Sequence, residues 1–223
     1  MALLFRIRSV RPGPERQLLR AALRRGLPVN SGAALLLREA ALPTGVPDLI
    51  AVEPRLRWVA STRKRRSLEL LHLQLLHFLS EFGGGRIVEI GQLLNHSSRT
   101  VAAALRDLEA AGFVVQQHER FVACPLSKVF VAKRIVAIEA KMRAWRDALE
   151  QAVANMWFAS HSYILIPALR CLKAVREEAK KLGVGVLVFD GEQTRTVLRP
   201  RKQRIPASYG SWLINEWAVQ QLR

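Results

Sequence analysis

The chain has 223 residues, of which 50% are hydrophobic, and a formal net charge of +17 at pH 7. A chain of this length and hydrophobic content can bury one large core, or a core plus a small module, which excludes a disordered tail. The charge indicates a polyanionic partner, with nucleic acid first and an anionic membrane surface second, unless the proteome background is itself basic.

Membrane insertion, secretion and a cysteine framework are not expected. No apolar run approaches the ~20 residues that a membrane-spanning helix requires, and the first residues become charged too early for a secretory signal. The two cysteines, Cys124 and Cys171, are far apart and lack metal-ligand spacing. We therefore expect a cytoplasmic protein in a reducing compartment, with no zinc site.

The first 62 residues contain one predicted helix and two predicted strands. Two prolines precede a helical stretch over residues 15–25, which carries leucines on one side. Two short apolar runs, residues 33–41 and 46–52, are separated by Pro43-Thr44-Gly45. This spacing predicts a hairpin-like pair of strands.

A small helical module is predicted over residues 63–124. It begins within a stretch, residues 55–66, that carries six basic side chains and no acid, and we interpret this stretch as a domain boundary. Asn95-His96-Ser97 is the expected turn between the second and third helices, and Gly112 the expected cap of the third. The predicted elements are helices at 68–79, 88–94 and 98–111, then strands at 113–117 and 120–124.

The order of these elements (helix, helix–turn–helix, two-stranded wing) resembles the winged-helix DNA-binding domain. The likeness implies that the third helix enters the major groove, while the wing and the preceding basic cluster contact phosphates. A winged helix that serves protein contacts or dimerisation is the alternative. The implied DNA-binding residues are Ser97, Ser98, Arg99, Thr100 and Arg106 in the third helix, Arg120 in the wing, and Arg63, Lys64, Arg65 and Arg66 in the cluster.

This module is only mildly basic, with eight Lys/Arg against six acids between Arg63 and Arg120. Much of the positive charge must therefore lie in the rest of the chain. One stretch has no acid between its basic residues and is a candidate nucleic-acid path; these residues are Arg195, Arg199, Arg201, Lys202 and Arg204.

Strands and helices alternate again after residue 124. We therefore predict an α/β (α+β) protein in which a central mixed sheet is flanked by helices and interrupted by the inserted module. The predicted division is 1–62 and 125–223 for the two parts of the sheet domain and 63–124 for the insertion. The expected elements are strands at 133–141, 162–167, 184–189 and 194–198, and helices at 143–159, 168–182 and 209–222.

Glu139 and Lys141 stand two positions apart at the end of a β-branched run. Side chains alternate along a strand, so this carboxylate and this amine project from the same side, opposite Val136, Ile138 and Ala140. A second apolar run begins with a single acid, Asp48. An Asp…Glu-x-Lys arrangement on two strands is suited to presenting a divalent metal ion and a cation to a phosphodiester.

The pattern Pro47-Asp48…Glu139-Ala140-Lys141 resembles the PD-(D/E)XK, or restriction-endonuclease-like, nuclease superfamily. A helix bearing Glu15 before the strand pair and a helix directly after the Glu-x-Lys strand agree with that family. The resemblance covers most of the chain outside the inserted module. Asp48 and Glu139 lie 91 positions apart, a separation that the insertion explains.

The resemblance implies a metal-dependent nuclease that hydrolyses phosphodiester bonds in DNA. Asp48 and Glu139 would be ligands of Mg²⁺ (or Mn²⁺), because carboxylate oxygens suit these hard cations. Lys141 would position the attacking water or stabilise the phosphate charge. Family members often add a helix carboxylate and a polar helix residue, and Glu15 and Gln151 are the candidates for these roles.

Three alternatives remain open at this point. In the first alternative, Glu139 and Lys141 form a pair on an exposed strand edge, and Asp48 only caps a turn. In a second the protein is a non-catalytic DNA-binding transcriptional regulator that keeps the nuclease fold as a scaffold. In a third it is one subunit of a DNA-processing or defence complex. Double-stranded DNA is the expected partner, a membrane is not, and a homodimer or a partner protein is a further expectation.

Overall fold

The computed structural model describes residues 4–6, 13–27, 35–55, 67–168 and 172–222. Contacts divide the chain into two compact units, each built from two stretches of sequence. The first unit comprises Met1–Pro54 and Arg134–Pro206, and the second comprises Arg55–Lys133 and Ala207–Arg223.

The first unit is an α+β structure built on a seven-stranded mixed sheet. The strand order is β1-β2-β3-β6-β7-β8-β9. Strands β1 and β2 are parallel, β2 and β3 antiparallel, β6, β7 and β8 parallel, and β8 and β9 antiparallel. The elements are β1 (Leu4–Arg6), α1 (Pro14–Arg24), β2 (Leu35–Arg38), β3 (Leu49–Pro54), β6 (Ala132–Ala140), α6 (Trp145–Asn155), β7 (His161–Pro167), α7 (Leu172–Leu182), β8 (Gly185–Phe189) and β9 (Thr194–Leu198).

Helices cover both faces of this sheet. Helix α1 buries Leu18, Leu19 and Ala22, whose spacing places them on one side of the helix, against Ile138 and other residues of the sheet. Helices α6 and α7 cover the opposite face, where their alanines, leucine and valine pack on β7 and β8. The predicted class, a mixed sheet flanked by helices, is therefore confirmed for this unit.

The contacts between β3 and β6 show that these neighbouring strands run in opposite directions. Asp48, just before β3, bonds to Ala140 at the end of β6. Glu53, near the end of β3, pairs with Arg134, near the start of β6, at 3.1 Å. The start of β3 therefore lies beside the end of β6.

In the described residues of the second unit, three helices are followed by a two-stranded hairpin, a short helix and the C-terminal helix. The hairpin pairs β4 with β5 in antiparallel register. The elements are α2 (Leu70–Glu81), α3 (Ile87–Leu94), α4 (Ser98–Ala110), β4 (Val114–Gln117), β5 (Arg120–Ala123), α5 (Leu126–Val129) and α8 (Tyr209–Leu222).

The C-terminal helix α8 belongs to this second unit, which differs from the predicted division. Trp212 is completely buried there, with its ring 4.6 Å from that of Phe130 and 6.2 Å from that of Phe113. Asn215 accepts a hydrogen bond from the Ala132 N–H. The prediction of 125–223 as one part of the sheet domain is therefore wrong at both ends, because residues up to 133 and from 207 onward pack in the second unit.

The boundary predicted at residue 62 lies outside the described residues, whereas the units divide after Pro54. Arg55 already bonds to the second unit, through its backbone N–H to Val131 and its guanidinium to the Phe130 carbonyl. Among the described residues, no helix is long and apolar enough to cross a membrane.

Candidate functional site

Asp48 and the end of β6 are joined directly. The Asp48 Oδ2 atom accepts a hydrogen bond from the Ala140 backbone N–H at 2.8 Å. The Glu139 carboxylate accepts in turn from the Asp48 backbone N–H. The antiparallel arrangement of β3 and β6 thus brings together two acids that lie 91 positions apart in sequence.

Glu139 is held by a polar side chain from α6. It is only 5% exposed, and its Oε1 atom accepts a hydrogen bond of 2.6 Å from the Asn155 Nδ2 atom. Asn155 is itself buried at the last position of α6. A buried carboxylate with a buried amide donor has a fixed orientation, because every alternative rotamer would leave a polar group without its partner.

Lys141 follows β6 immediately. Its backbone N–H donates to the Leu165 carbonyl of β7 at 3.0 Å, which continues the parallel pairing one residue beyond the strand. Its ammonium charge lowers the pKa of both Asp48 and Glu139. The three residues of the predicted Asp…Glu-x-Lys set are therefore close enough to interact electrostatically.

Burial raises the pKa values of both acids, and the Asp48 charge raises that of Glu139 further. Desolvation is the largest cause for Glu139, and the Asp48 charge adds to it, so that the Glu139 pKa rises to about 8 although Asn155 and Lys141 oppose the shift. Burial also raises the pKa of Asp48, against the Ala140 hydrogen bond and Lys141. Such paired carboxylates are stable as anions only beside additional positive charge.

Two further acids lie near Asp48. Glu15, in the first turn of α1, and Glu39, directly after β2, both raise the Asp48 pKa through their charge. The structure thus places the predicted candidate Glu15 within electrostatic range of Asp48.

Glu39 was not predicted from the sequence. It is buried, its backbone has φ of 53°, and its Oε1 atom lies 3.7 Å from the Arg16 Nε atom. A non-glycine residue at positive φ is uncommon, and such strain persists only where surrounding contacts enforce it. Its sequence signal is weak, because it is one acid, separated by Arg38 from three consecutive leucines.

Gln151 is not the α6 residue that contacts the acids. It lies on the exposed face of α6, whereas Asn155, one turn later, bonds to Glu139. The prediction of Gln151 as the polar helix residue of the site is therefore corrected to Asn155. The buried positions of α6 explain the difference: Ala148, Ala152 and Asn155 share the face that packs on the sheet.

The donor set fits a magnesium ion that keeps most of its water. Within the described ranges, no group of three or more His, Cys, Asp or Glu residues is arranged to hold a metal ion. Mg²⁺ is usually bound through one or two carboxylates, with waters and substrate phosphates completing the shell. The Asp48–Glu139 pair matches that requirement. Burial is the main cause of the raised pKa values, neighbouring acids add to it, and a divalent cation would favour the ionised form of both carboxyl groups.

In the second unit, the predicted DNA-binding residues at the start of α4 are exposed. Ser97 is the N-cap of α4, where its Oγ atom accepts from the Thr100 N–H at 3.1 Å and lies 2.8 Å from the Thr100 Oγ1 atom. Ser98 and Arg99 follow in the first turn. The backbone and two hydroxyl groups are therefore ordered by the cap, and Arg99 extends from it.

The remaining predicted DNA contacts differ in their availability. Arg106 is exposed on α4 and lines a groove of about 690 Å³ with Val88, Glu119 and other residues. The Arg120 guanidinium donates instead to the Gly84 carbonyl at 2.9 Å, which gives it a structural role in attaching the hairpin. Residues 63–66, the predicted basic cluster, lie outside the described residues.

Comparison with known proteins gives no match: no family model, no curated protein and no solved structure corresponds to this chain. Function is therefore inferred from the geometry and charge described above.

Proposed function

We propose that the protein is a metal-dependent nuclease that hydrolyses phosphodiester bonds in DNA. The observation that carries this proposal is the buried Asp48–Glu139 pair, joined across two neighbouring strands by the hydrogen bond from Ala140 to Asp48 and accompanied by Lys141. Two carboxylates can hold a divalent cation, and an amine at the same end of the sheet can stabilise negative charge on the phosphate.

The order of elements in the first unit supports a restriction-endonuclease-like type of nuclease. Helix α1 precedes the antiparallel β2–β3 pair, and β6 lies beside β3 with α6 and the parallel strand β7 after it. In the second unit, the order α2, α3, α4 and the β4–β5 hairpin supports a winged-helix module for DNA binding.

Asp48 and Glu139 would hold Mg²⁺ or Mn²⁺, which when bound supplies Lewis acidity and a water of lowered pKa. Asn155 fixes one oxygen of Glu139, so the orientation of that carboxylate is set before any cation binds. Lys141 carries a positive charge at the same strand end, where it stabilises negative charge on the phosphate. Burial excludes bulk water from Glu139 and strengthens each of these interactions.

The test is cleavage of duplex and single-stranded DNA by the full chain, with and without Mg²⁺. We expect activity in the wild type and its loss in Asp48→Ala and in Lys141→Ala. Asp147→Ala and Lys173→Ala are the matched controls, because these exposed residues lie in the same unit and change the net charge equally. Wild-type activity no greater than that of Asp48→Ala would refute the proposal.

The second candidate is a DNA-binding protein without catalysis, acting as a transcriptional regulator or as a subunit of a DNA-processing or defence complex. It is favoured by the raised pKa of Glu139, because a protonated Glu139 bonded to Asn155 is also a stable buried pair without metal. It predicts salt-sensitive DNA binding that needs no metal, with Asp48→Ala silent and Arg99→Ala losing selectivity. Co-purification of a second protein would support the subunit role.

A further inference from the structure

Positive charge is distributed unequally over the described residues. The described part of the first unit has nineteen Lys/Arg against eleven acids. The described part of the second unit, residue 55 with residues 67–133 and 207–222, has seven Lys/Arg and seven acids. The basic residues are Arg55, Arg86, Arg99, Arg106, Arg120, Lys128 and Lys133, and the acids are Glu69, Glu81, Glu89, Asp107, Glu109, Glu119 and Glu216.

One segment of the first unit combines several basic residues with no acid. Residues 193–206 contain five basic residues and no acid, and we call these five residues the basic strip: Arg195, Arg199, Arg201, Lys202 and Arg204. All five side chains are exposed.

The backbone beneath the basic strip is firmly attached to the sheet. The Arg201 N–H donates to the Gly183 carbonyl at 2.9 Å, and the Gln203 N–H donates to the Ser160 carbonyl at 3.3 Å. The Gln203 side-chain amide donates to the carbonyls of Met156 and Ala159 at 2.8 and 2.7 Å. The cations from Arg199 to Arg204 are therefore presented from a fixed segment that passes the N-terminal ends of β7 and β8, whereas Arg195 lies on β9 opposite Val188, near the other end of β8.

The basic strip extends onto the sheet itself. Burial and the charges of Arg134 and Lys202 lower the pKa of His161 at the start of β7. Burial raises the pKa of Tyr163, while Arg134 and Arg199 act in the opposite direction. Arg134 thus lies within electrostatic range of the same residues as the strip, and it is accompanied by one acid, Glu53.

We propose that the basic strip, together with Arg134, binds the phosphate backbone of the nucleic-acid substrate. This inference rests on the proposed nuclease function and names the surface that supplies its affinity. From Arg134 to Glu139 the strand β6 advances five residues, which is about 17 Å at ~3.3 Å per residue. At 3.4 Å per base pair, the strip would contact phosphates roughly five base pairs from the cleaved bond.

A second group of basic residues in the same unit provides a matched control. Helix α7 carries exposed Lys173, Arg176 and Lys180, but Glu177 and Glu178 are interleaved with them, and Lys181 lies 3.5 Å from Glu178. Acids next to these cations repel phosphate. Equal substitutions in the two groups change the net charge equally, so a difference in binding reports local contacts rather than the overall field.

The experiment measures DNA affinity of the full chain in EDTA, so that cleavage plays no part. Arg199→Gln/Lys202→Gln/Arg204→Gln is compared with Lys173→Gln/Arg176→Gln/Lys180→Gln on a labelled duplex of about 20 base pairs. Arg201 is left unchanged because its side chain packs against the turn at Gly183. We expect the first triple variant to bind at least ~10-fold more weakly near 0.1 M salt, and to lower the slope of log K against log salt by about 2–3.

The control variant should bind within about twofold of the wild type, and Arg199→Lys/Arg204→Lys should retain most of the affinity because charge is conserved. Equal losses in both triple variants, or wild-type affinity in the first, would overturn the proposal. The same variants are also tested for binding to anionic lipid vesicles and to single-stranded DNA. Loss of vesicle binding with duplex and single-strand binding intact would assign the strip to a membrane surface instead and overturn the proposal. Absence of cleavage with a strip-dependent affinity would refute only the nuclease.

Discussion

The two units of the protein differ in what their surfaces can do. The first unit carries the excess of positive charge and the buried acid pair, whereas the described part of the second is close to neutral. The second unit instead exposes large apolar side chains, among them Phe82, Val88 and Leu93. Phosphate contacts supply affinity and base contacts supply specificity. Under the proposed function, the sheet unit would therefore supply affinity and chemistry, and the helical unit would supply selectivity.

The largest effect is expected for a variant that removes a proposed metal ligand and leaves every basic side chain unchanged. Asp48→Ala should lower the cleavage rate by ~10²-fold or more, because it removes a metal ligand. DNA affinity in EDTA should stay within about twofold, since one acid among 18 hardly alters the field. Cleavage kinetics and fluorescence anisotropy on the same preparation check both. A parallel loss of binding and cleavage would place Asp48 in the binding surface.

The second largest effect concerns the stability of the first unit as pH changes. The Glu139 pKa is about 8 in the folded protein against 4.5 when unperturbed, so the folded state holds a proton that the unfolded state has released. The contribution of Glu139 to stability is therefore greatest below about pH 4.5. It falls as the pH rises towards 8 and is constant above that value. The loss amounts to a few kcal/mol, at most about 5.

Urea denaturation between pH 5 and 9 measures this loss. Glu139→Gln should flatten the fall, while Glu150→Gln, an exposed acid on α6, should not. Mn²⁺ should stabilise the wild type at pH 8 more than at pH 5, because the ligands must be deprotonated to bind it. Identical pH profiles for the wild type and Glu139→Gln would contradict the burial of an ionisable carboxylate at this position.

The helices and strands of both units were largely predictable because their signals are local. The proline at the start of α1, the glycines after α2 and α4, and the 3.6-residue and two-residue periodicities are visible in short windows of sequence. The Asp48–Glu139 contact was different. Its two residues are 91 positions apart, and only the resemblance to a known nuclease family connected them.

What the sequence could not predict depends on packing between distant segments. Helix α8 is apolar on most of its surface, so its sequence does not indicate which core it enters; Trp212 joins Phe113 and Phe130. Glu39 owes its place to the end of a four-residue strand. Asn155 was within reach of prediction, because it continues the buried face of α6 through Ala148 and Ala152, and Gln151 does not.

Asn155 and Gln151 of α6 should differ in their effect on metal binding. Asn155→Ala should weaken Mn²⁺ binding by ~10- to 100-fold, the usual cost of removing a partner that orients a metal ligand. Gln151→Ala, one turn away on the exposed face, should be nearly silent. Calorimetric titration with Mn²⁺ gives the affinity, and Asn155→Asp would test whether an added negative charge can substitute for the lost amide. Equal effects at 151 and 155 would contradict the geometry.

The smallest effect is expected in the second unit, where it tests whether that unit selects DNA sequence at all. Arg99 extends from the capped start of α4, whereas the Arg120 guanidinium is held by the Gly84 carbonyl. If Arg99 contacts a base edge, Arg99→Ala should reduce discrimination between preferred and random DNA by about 1 kcal/mol, and leave affinity for random DNA almost unchanged. If Arg99 contacts only phosphate, affinity for all sequences should fall together and the salt slope should decrease by about 1.

Selection from a random DNA library followed by competition binding separates these outcomes, with Arg120→Ala as the comparison. Arg120→Ala should lower the thermal stability of the second unit, because the Gly84 carbonyl loses its donor. Its effect on selectivity should be smaller than its effect on stability. A wild-type protein that selects no sequence, together with a silent Arg99→Ala, would leave the neutral, apolar surface of the second unit as a site for protein contacts. The sheet unit would then be the only DNA-binding part among the described residues. Binding of phosphates by the basic strip would then determine where the DNA is cleaved.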